Sequence, residues 1–184
     1  LNMRFIKTSL SGPWLIEPEC HTDTRGFFAR SCCDREFDEH GLWHKWVQFN
    51  ISYNESKGTL RGLHFSLPTV HEVKLVRCTS GAIFDVIVDI RPDSNSFGQW
   101  FGTELTAENR CALYIPVGFA HGFQTLTDRS EVFYQMGDFY DPVASRGIRY
   151  NDPTISVQWP LPGKIISAND EKLPSLDEAL EPSV

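Results

Sequence analysis

Basic residues are scarce in this sequence. Lys and Arg number 17 against 24 Asp and Glu, a formal net charge of −7. A chain of that sign lacks the basic footprint that general nucleic-acid binding needs, so an anionic ligand must be met by a few placed Arg and Lys rather than by an overall field. Nor is there an apolar run near the roughly 20 residues of a membrane-spanning helix, or a visible signal peptide. Leu1 and Asn2, ahead of Met3, read as additions to the natural start. None of the five cysteines, Cys20, Cys32, Cys33, Cys78 and Cys111, stands in a C-x-x-C pair, and their number is odd. They are expected to be reduced thiols of a cytoplasmic protein. With no internal repeat, low-complexity tract or Gly/Ser linker, residues 1–184 are expected to form a single domain that can bury its own core.

What the sequence does have is rings and short strands. Thirteen Phe, five Trp and five Tyr predict a core or a ligand pocket rich in aromatics. One segment has a helical pattern, Cys33 to His40, with Asp34 as the expected cap and Gly41 as the stop. Most of the rest alternates between apolar stretches and Gly, Pro, Asn and Asp punctuation. The clearest strand is 81–91, with Ala82, Phe84, Val86, Val88 and Ile90 on one face and Ile83, Asp85, Ile87, Asp89 and Arg91 on the other. Further strands are predicted at 46–53, 59–66, 72–79, 100–105, 111–116, 121–126, 131–136 and 155–159. Many short strands at this spacing predict an all-β sandwich or barrel. The acidic, Pro-containing stretch from Ser167 to Val184 is expected to wrap the surface with a short helix.

Two spacings narrow the barrel further. Pro116-x-Gly118-x-x-His121 is a turn that leads into a strand with an early histidine. Upstream, Gly58 precedes His64 by six positions of chain, and Lys74 precedes Gly81 by seven. These are the spacings of the cupin barrel, which in its metal-binding form uses His-x-His, a Glu and a later His. Here Ser66 takes the place of the second histidine and Lys74 that of the Glu, so no metal site is expected. His64 and His121 supply groups that titrate near neutral pH, and Lys74 adds a positive charge. That set suits removal of a proton next to a ketone, where an ammonium can hold the enolate oxygen as Zn²⁺ does elsewhere. A single His in a β-protein is more often a packed or hydrogen-bonded residue than a catalyst, and His21, His40, His44 and His71 are read that way. Arg61 and His64, three residues apart, fall on opposite faces of a regular strand; for both to reach a pocket the strand must bulge, with Gly62 as the natural place.

The segments Asp23-Thr-Arg-Gly-Phe-Phe28, Gln48-x-Asn50-x-Ser52, Gly58-Thr-Leu-Arg-Gly-Leu-His64 and Lys74-Leu-Val-Arg-Cys78 follow one another in order. Gly81-x-x-x-Asp85-Val-x-Val-Asp89-x-Arg91, Ile115-Pro-x-Gly-Phe-Ala-His-Gly-Phe123, Tyr134, Asn151-Asp-Pro153, Trp159-Pro160 and Ser167-x-x-Asp170 continue the series. With these motifs the chain resembles the dTDP-4-dehydrorhamnose 3,5-epimerase family over nearly its whole length. The resemblance implies an all-β cupin-type jelly-roll barrel with minor helices, forming a homodimer. It implies inversion of C3 and C5 of a dTDP-4-keto-6-deoxyhexose without metal or other cofactor, on the route to dTDP-L-rhamnose or a related sugar. It also implies roles. His64 is the general base, oriented by Asp170; Tyr134 is the acid on the opposite face of the ring; Lys74 and His121 surround the C4 oxygen. Arg25 and Arg61 grip the diphosphate, and Gln48, Asn50, Tyr140 and Phe27 lie near the nucleotide. Asp85 is expected to be a buried partner that orients His121.

The sequence departs from the family pattern at Arg30, Ser66, Phe139 and Tyr150. An epimerase of one centre only, or of another nucleotide-linked 4-keto sugar, stays open within the class. Outside it stand a metal-dependent cupin oxygenase, which Ser66 and Lys74 disfavour, and a non-catalytic sugar-nucleotide-binding barrel, which the presence of His64, Tyr134 and Asp170 disfavours.

Overall fold

The computed structural model describes residues 2–162 and 165–181. Its strands, in chain order, are β1 (Met3–Lys7), β2 (Trp14–Pro18), β3 (Cys20–Asp23), β4 (Gly26–Ala29), β5 (Gln48–Asn54), β6 (Leu60–Ser66) and β7 (Lys74–Ser80). After these come β8 (Ala82–Asp89), β9 (Trp100–Thr106), β10 (Ala112–Ile115), β11 (Phe119–Thr125), β12 (Ser130–Met136) and β13 (Ser145–Gly147). Three short helices, α1 (Asp34–Glu39), α2 (Ala168–Glu171) and α3 (Leu176–Leu180), complete the described elements. Six strands form one sheet in the order β1-β2-β10-β7-β12-β5 and five form the other, β13-β6-β11-β8-β9; β3 and β4 make a separate hairpin. All the pairings within these sheets are antiparallel. The two large sheets stack face to face, as the strand spacing predicts for a sandwich or barrel, in the jelly roll that the family resemblance implies.

Between the sheets sit Val76 and Cys78 from β7, Ile83 and Ile87 from β8, Leu105, Leu113, Ile115, Phe123 and Val132. Strand β8 corrects a natural assumption about amphipathic strands. Its seemingly more apolar face, with Val86, Val88 and Ile90, lies outside the barrel, packed under Ile148, Ile155 and Leu176. The barrel interior receives Ile83, Asp85 and Ile87 instead. Both faces are buried, so β8 is a central strand with two dry sides.

The covering layer is held by side chains of the C-terminal motifs. Asp152 of Asn-Asp-Pro accepts from the backbone N–H groups of Thr154, Ile155 and Leu176, and Trp159 donates its indole hydrogen to the Tyr150 carbonyl. A strand is therefore not formed at 155–159, where one was expected; the segment packs its apolar side chains as irregular chain. Helix α3 begins with a capping box, Ser175 with Glu178, which agrees with the short helix expected after Ser167. On the outer side of the six-stranded sheet, α1 buries Phe37 edge-on against Phe5, Trp46 and Tyr114. Cys33, rather than Asp34, is its N-cap; Asp34 lies in the first turn with Glu36, where a negative charge suits the helix dipole. No helix among the described residues is long and apolar enough to cross a membrane.

Candidate active site

The strand register fixes where the candidate residues meet. On the six-stranded sheet Gln48, Met136 and Lys74 form one row across β5, β12 and β7, and Asn50, Tyr134 and Val76 the next. On the other sheet His64 pairs with His121, and Arg61 with Phe123. Between the two rows the barrel opens into a cavity of about 730 Å³, lined by Gln48, Asn50, Arg61, His64, Glu72, Lys74, His121, Tyr134 and Tyr140, among others.

The bulge expected in β6 is present. Between the pairs His121–His64 and Phe123–Arg61 the register shifts, so that Gly62 and Leu63 face Gly122 alone. Gly62 has φ +110°, and a Cβ there would come within 2.7 Å of the Gly122 Cα and the His121 carbonyl, which no side chain can tolerate. The Gly62–Leu63 peptide is cis. The irregularity brings the Arg61 and His64 side chains to the same cavity, and the Arg61 Nε donates to Asn54 Oδ1 at 2.8 Å.

Two imidazoles each have a carboxylate behind them. His64 Nε2 donates to Asp170 Oδ1 at 2.8 Å. The carboxylate can only accept, so Nε2 carries the hydrogen and Nδ1 is left as the basic nitrogen. Ser167 sets up this contact: its hydroxyl accepts from the Asp170 backbone N–H as the N-cap of α2, which explains the Ser-x-x-Asp spacing. The other Asp170 oxygen accepts from the Gly62 N–H at 3.2 Å, at the bulge itself. Burial pushes the Asp170 carboxyl up, but the His64 contact, the Gly62 N–H and the Arg61 charge together hold it below the usual carboxylate range. His121 Nε2 likewise donates to Asp85 Oδ1 at 2.8 Å. Asp85 is wholly buried, and its second oxygen has no hydrogen-bond partner.

Tyr134 packs its ring against the interior core. Its phenol is pushed above the ordinary value, first by burial and then by the negative charge of Glu72, with Arg61 acting the other way. Gln48 and Asn50 are hydrogen-bonded to one another and to the Met136 sulfur, and Gln48 also accepts from the Tyr140 backbone N–H. Among the described residues no three His, Cys, Asp or Glu are grouped as a metal ion would need.

Arg25 and Phe27 are not brought to this cavity. They lie on the β3–β4 hairpin, where Arg25 pairs with Asp23 and Phe27 stacks beneath the Arg110 guanidinium at 3.9 Å. Glu72, conversely, stands in the cavity wall and was not singled out from the sequence. Its position two residues before Lys74 on a strand-bound segment is the signal that could have found it, since alternate residues share a face.

An imidazole with a carboxylate behind it on one sheet faces a phenol and an ammonium on the other, a set able to move protons beside a carbonyl. The dTDP-4-dehydrorhamnose 3,5-epimerase family model matches residues 7–178. The chain belongs to that family. It is 46% identical to the dTDP-4-dehydrorhamnose 3,5-epimerase of Escherichia coli K12, with 97% of each chain covered. It superposes with a TM-score of 0.93 on the crystal structure of the enzyme from Elizabethkingia anophelis, at 37% identity and with 97% and 98% of the two chains covered. The Legionella pneumophila 3,5-epimerase, solved in complex with dTDP-4-keto-L-rhamnose, matches with a TM-score of 0.90 at 38% identity, with 96% and 94% covered. This family member is thus an isomerase with the cupin-type jelly roll of its relatives.

Proposed function

We propose that this epimerase inverts C3 and C5 of a dTDP-4-keto-6-deoxyhexose, giving the L-configured 4-keto sugar of a rhamnose-type route. The single observation that carries the roles is the His64–Asp170 dyad facing Tyr134 across one cavity. His64 Nδ1 takes the proton from the carbon beside the ketone, and the electron pair moves onto the C4 oxygen. Lys74, assisted by His121, holds that oxygen in place of a metal ion. Tyr134 then donates its proton to the same carbon from the other face, and the carbonyl re-forms. The Tyr134 phenol, half-buried and raised, is protonated at neutral pH and suited to donating. Once His64 has released its proton to solvent and Tyr134 has regained one, a second passage inverts the other carbon. Arg61 in the cavity meets the diphosphate with its guanidinium fork, and Gln48, Asn50 and Tyr140 flank the nucleotide.

The same reading takes the chain to be a homodimer. It is supported by β5, an edge strand whose outer face exposes Phe49, Ile51 and Tyr53, and by the exposed Phe27 and Phe28 of the hairpin. Arg25, 88% exposed, then serves as a diphosphate ligand by reaching the cavity of the other protomer. Light scattering should give twice the chain mass; a monomer would remove Arg25 and Phe27 from the site.

Deuterium exchange in D₂O with dTDP-4-keto-6-deoxyglucose tests the assignment of base and acid. His64→Ala should abolish exchange at C3 and C5, because no enolate forms. Tyr134→Phe should still admit deuterium with retained configuration, while net inversion falls by about 10²–10⁴. Equal loss of exchange and inversion in Tyr134→Phe would make this tyrosine a positioning residue and sink the two-face mechanism.

A further inference from the structure

The wall that carries Lys74 also carries a carboxylate that no step above uses. Glu72 Oε1 lies 2.7 Å from Lys74 Nζ, and its Oε2 accepts a 2.9 Å hydrogen bond from the Ser66 hydroxyl. Only 11% of the Glu72 side chain and 12% of Lys74 is exposed. This is not the loose, screened pair of a protein surface; both carboxylate oxygens are engaged and the geometry is set.

A carboxylate here has a cost. It cancels part of the field with which Lys74 would hold a developing enolate. An amide of the same shape could keep the hydrogen bonds without that loss, so the negative charge itself calls for an explanation. We propose, resting on the reading of Tyr134 as the acid, that Glu72 is a positioning residue of the epimerisation: braced by Ser66, it aims the Lys74 ammonium and keeps a negative charge in the cavity that Tyr134 lines.

The surroundings of Tyr134 explain the need. Arg61 and His64 approach from β6, Lys74 from β7 and His121 from β11, and Tyr140 lines the same cavity. Among the residues that line the cavity Arg61 and Lys74 are permanent cations and Glu72 is the carboxylate, while Asp170 and Asp85 stand behind His64 and His121. A phenol among cations loses its proton at lower pH, and a phenolate cannot return a proton to the sugar. Glu72 opposes that loss, adding to the larger effect of burial in raising the Tyr134 phenol. It weakens the hold on the enolate somewhat and secures a protonated donor for the second half of the reaction.

The test is a titration of substrate-free protein by ultraviolet phenolate absorbance. Parent and Glu72→Gln are each compared with the same protein carrying Tyr134→Phe, so that the difference isolates Tyr134 from the other tyrosines. In Glu72→Gln the Tyr134 titration should move down by about one pH unit. The alkaline limb of net inversion should move with it, deuterium exchange at neutral pH should persist, and Glu72→Asp should restore most of the shift. A Tyr134 titration at the parent's pH in Glu72→Gln overturns the proposal. Should that variant not fold, Ser66→Ala removes the brace alone; a smaller shift in the same direction supports the proposal and no shift overturns it. The absorbance reading does not depend on what Tyr134 does in catalysis. If Tyr134→Phe continues to invert the sugar, the acid assignment falls separately, while the titration still decides whether Glu72 controls the phenol.

Discussion

His64 and His121 are register partners on β6 and β11, and each donates its Nε2 hydrogen to a carboxylate at 2.8 Å. Yet 46% of the His64 side chain is exposed against 12% of His121. Their carboxylates differ in origin. Asp85 comes from the neighbouring strand β8, is fully buried and leaves one oxygen without a partner. Asp170 comes from α2, more than a hundred residues along the chain, and uses its second oxygen on the bulged backbone of β6. The difference separates two chemical tasks that the same pair of side chains can perform. A base must reach a carbon of a bound sugar and exchange its proton with solvent, which suits the open dyad. A group that holds an oxygen needs a fixed place in a dry wall, which suits the closed one.

The sharpest way to break this comparison is to neutralise the open dyad. Asp170→Asn removes the charge behind His64 and allows the amide to stabilise the wrong tautomer, so kcat should fall about 10²–10⁴-fold. Turnover of the 4-keto sugar measures it. A variant within a few-fold of the parent would mean that the Asp170 contact only shapes the bulge.

Stability should rank the two dyads in the opposite order. Asp85→Ala leaves the His121 Nε2 hydrogen without an acceptor in a closed wall and should cost about 3 kcal/mol. Asp170→Ala frees a half-exposed imidazole and one backbone N–H, and should cost about 1–2 kcal/mol. Urea unfolding of both variants measures the gap. Equal losses would remove the distinction between a wall dyad and a mouth dyad.

The smallest effect is a pH dependence. The Asp170 carboxyl is held below its ordinary range, so the folded state binds fewer protons there than the unfolded chain. The stability it contributes is complete above the unfolded carboxylate value of about 3.9 and is lost as the pH falls through the folded value. The stability difference between parent and Asp170→Asn should therefore shrink between about pH 5 and pH 3 in urea unfolding. A difference that widens on acidification contradicts the sign of the shift.

Much of this protein can be read from its residues alone. Strands β5 to β12 follow from apolar alternation cut by Gly, Pro, Asn and Asp, because a pleated chain with one dry face needs that period. The β6 bulge follows from two polar side chains at an odd spacing around Gly62, and the cavity residues on β5, β6, β7, β11 and β12 follow from motif spacing. Other features depend on partners that no local pattern contains. Strands β1 and β2 are not among those predicted from the sequence and pair onto the edge that β10 offers. Which face of β8 turns inward is invisible in a strand apolar on both sides; the C-terminal layer decides it by burying Val86 and Val88. The segment 155–159 has a strand's composition but packs as irregular chain, since its apolar side chains cover a sheet face and Asp152 occupies its leading N–H groups. Arg25 and Phe27 belong to a matching motif, yet the hairpin holds them away from the cavity of their own chain. Glu72 acquires meaning only when the β6–β7 connection sets it between Ser66 and Lys74. Sequence thus determined the strand periods and the chemical inventory, both local properties of the chain. Tertiary structure decided which faces are dry and which charges become neighbours, because burial and Coulomb energy depend on distances that the chain sets only by folding.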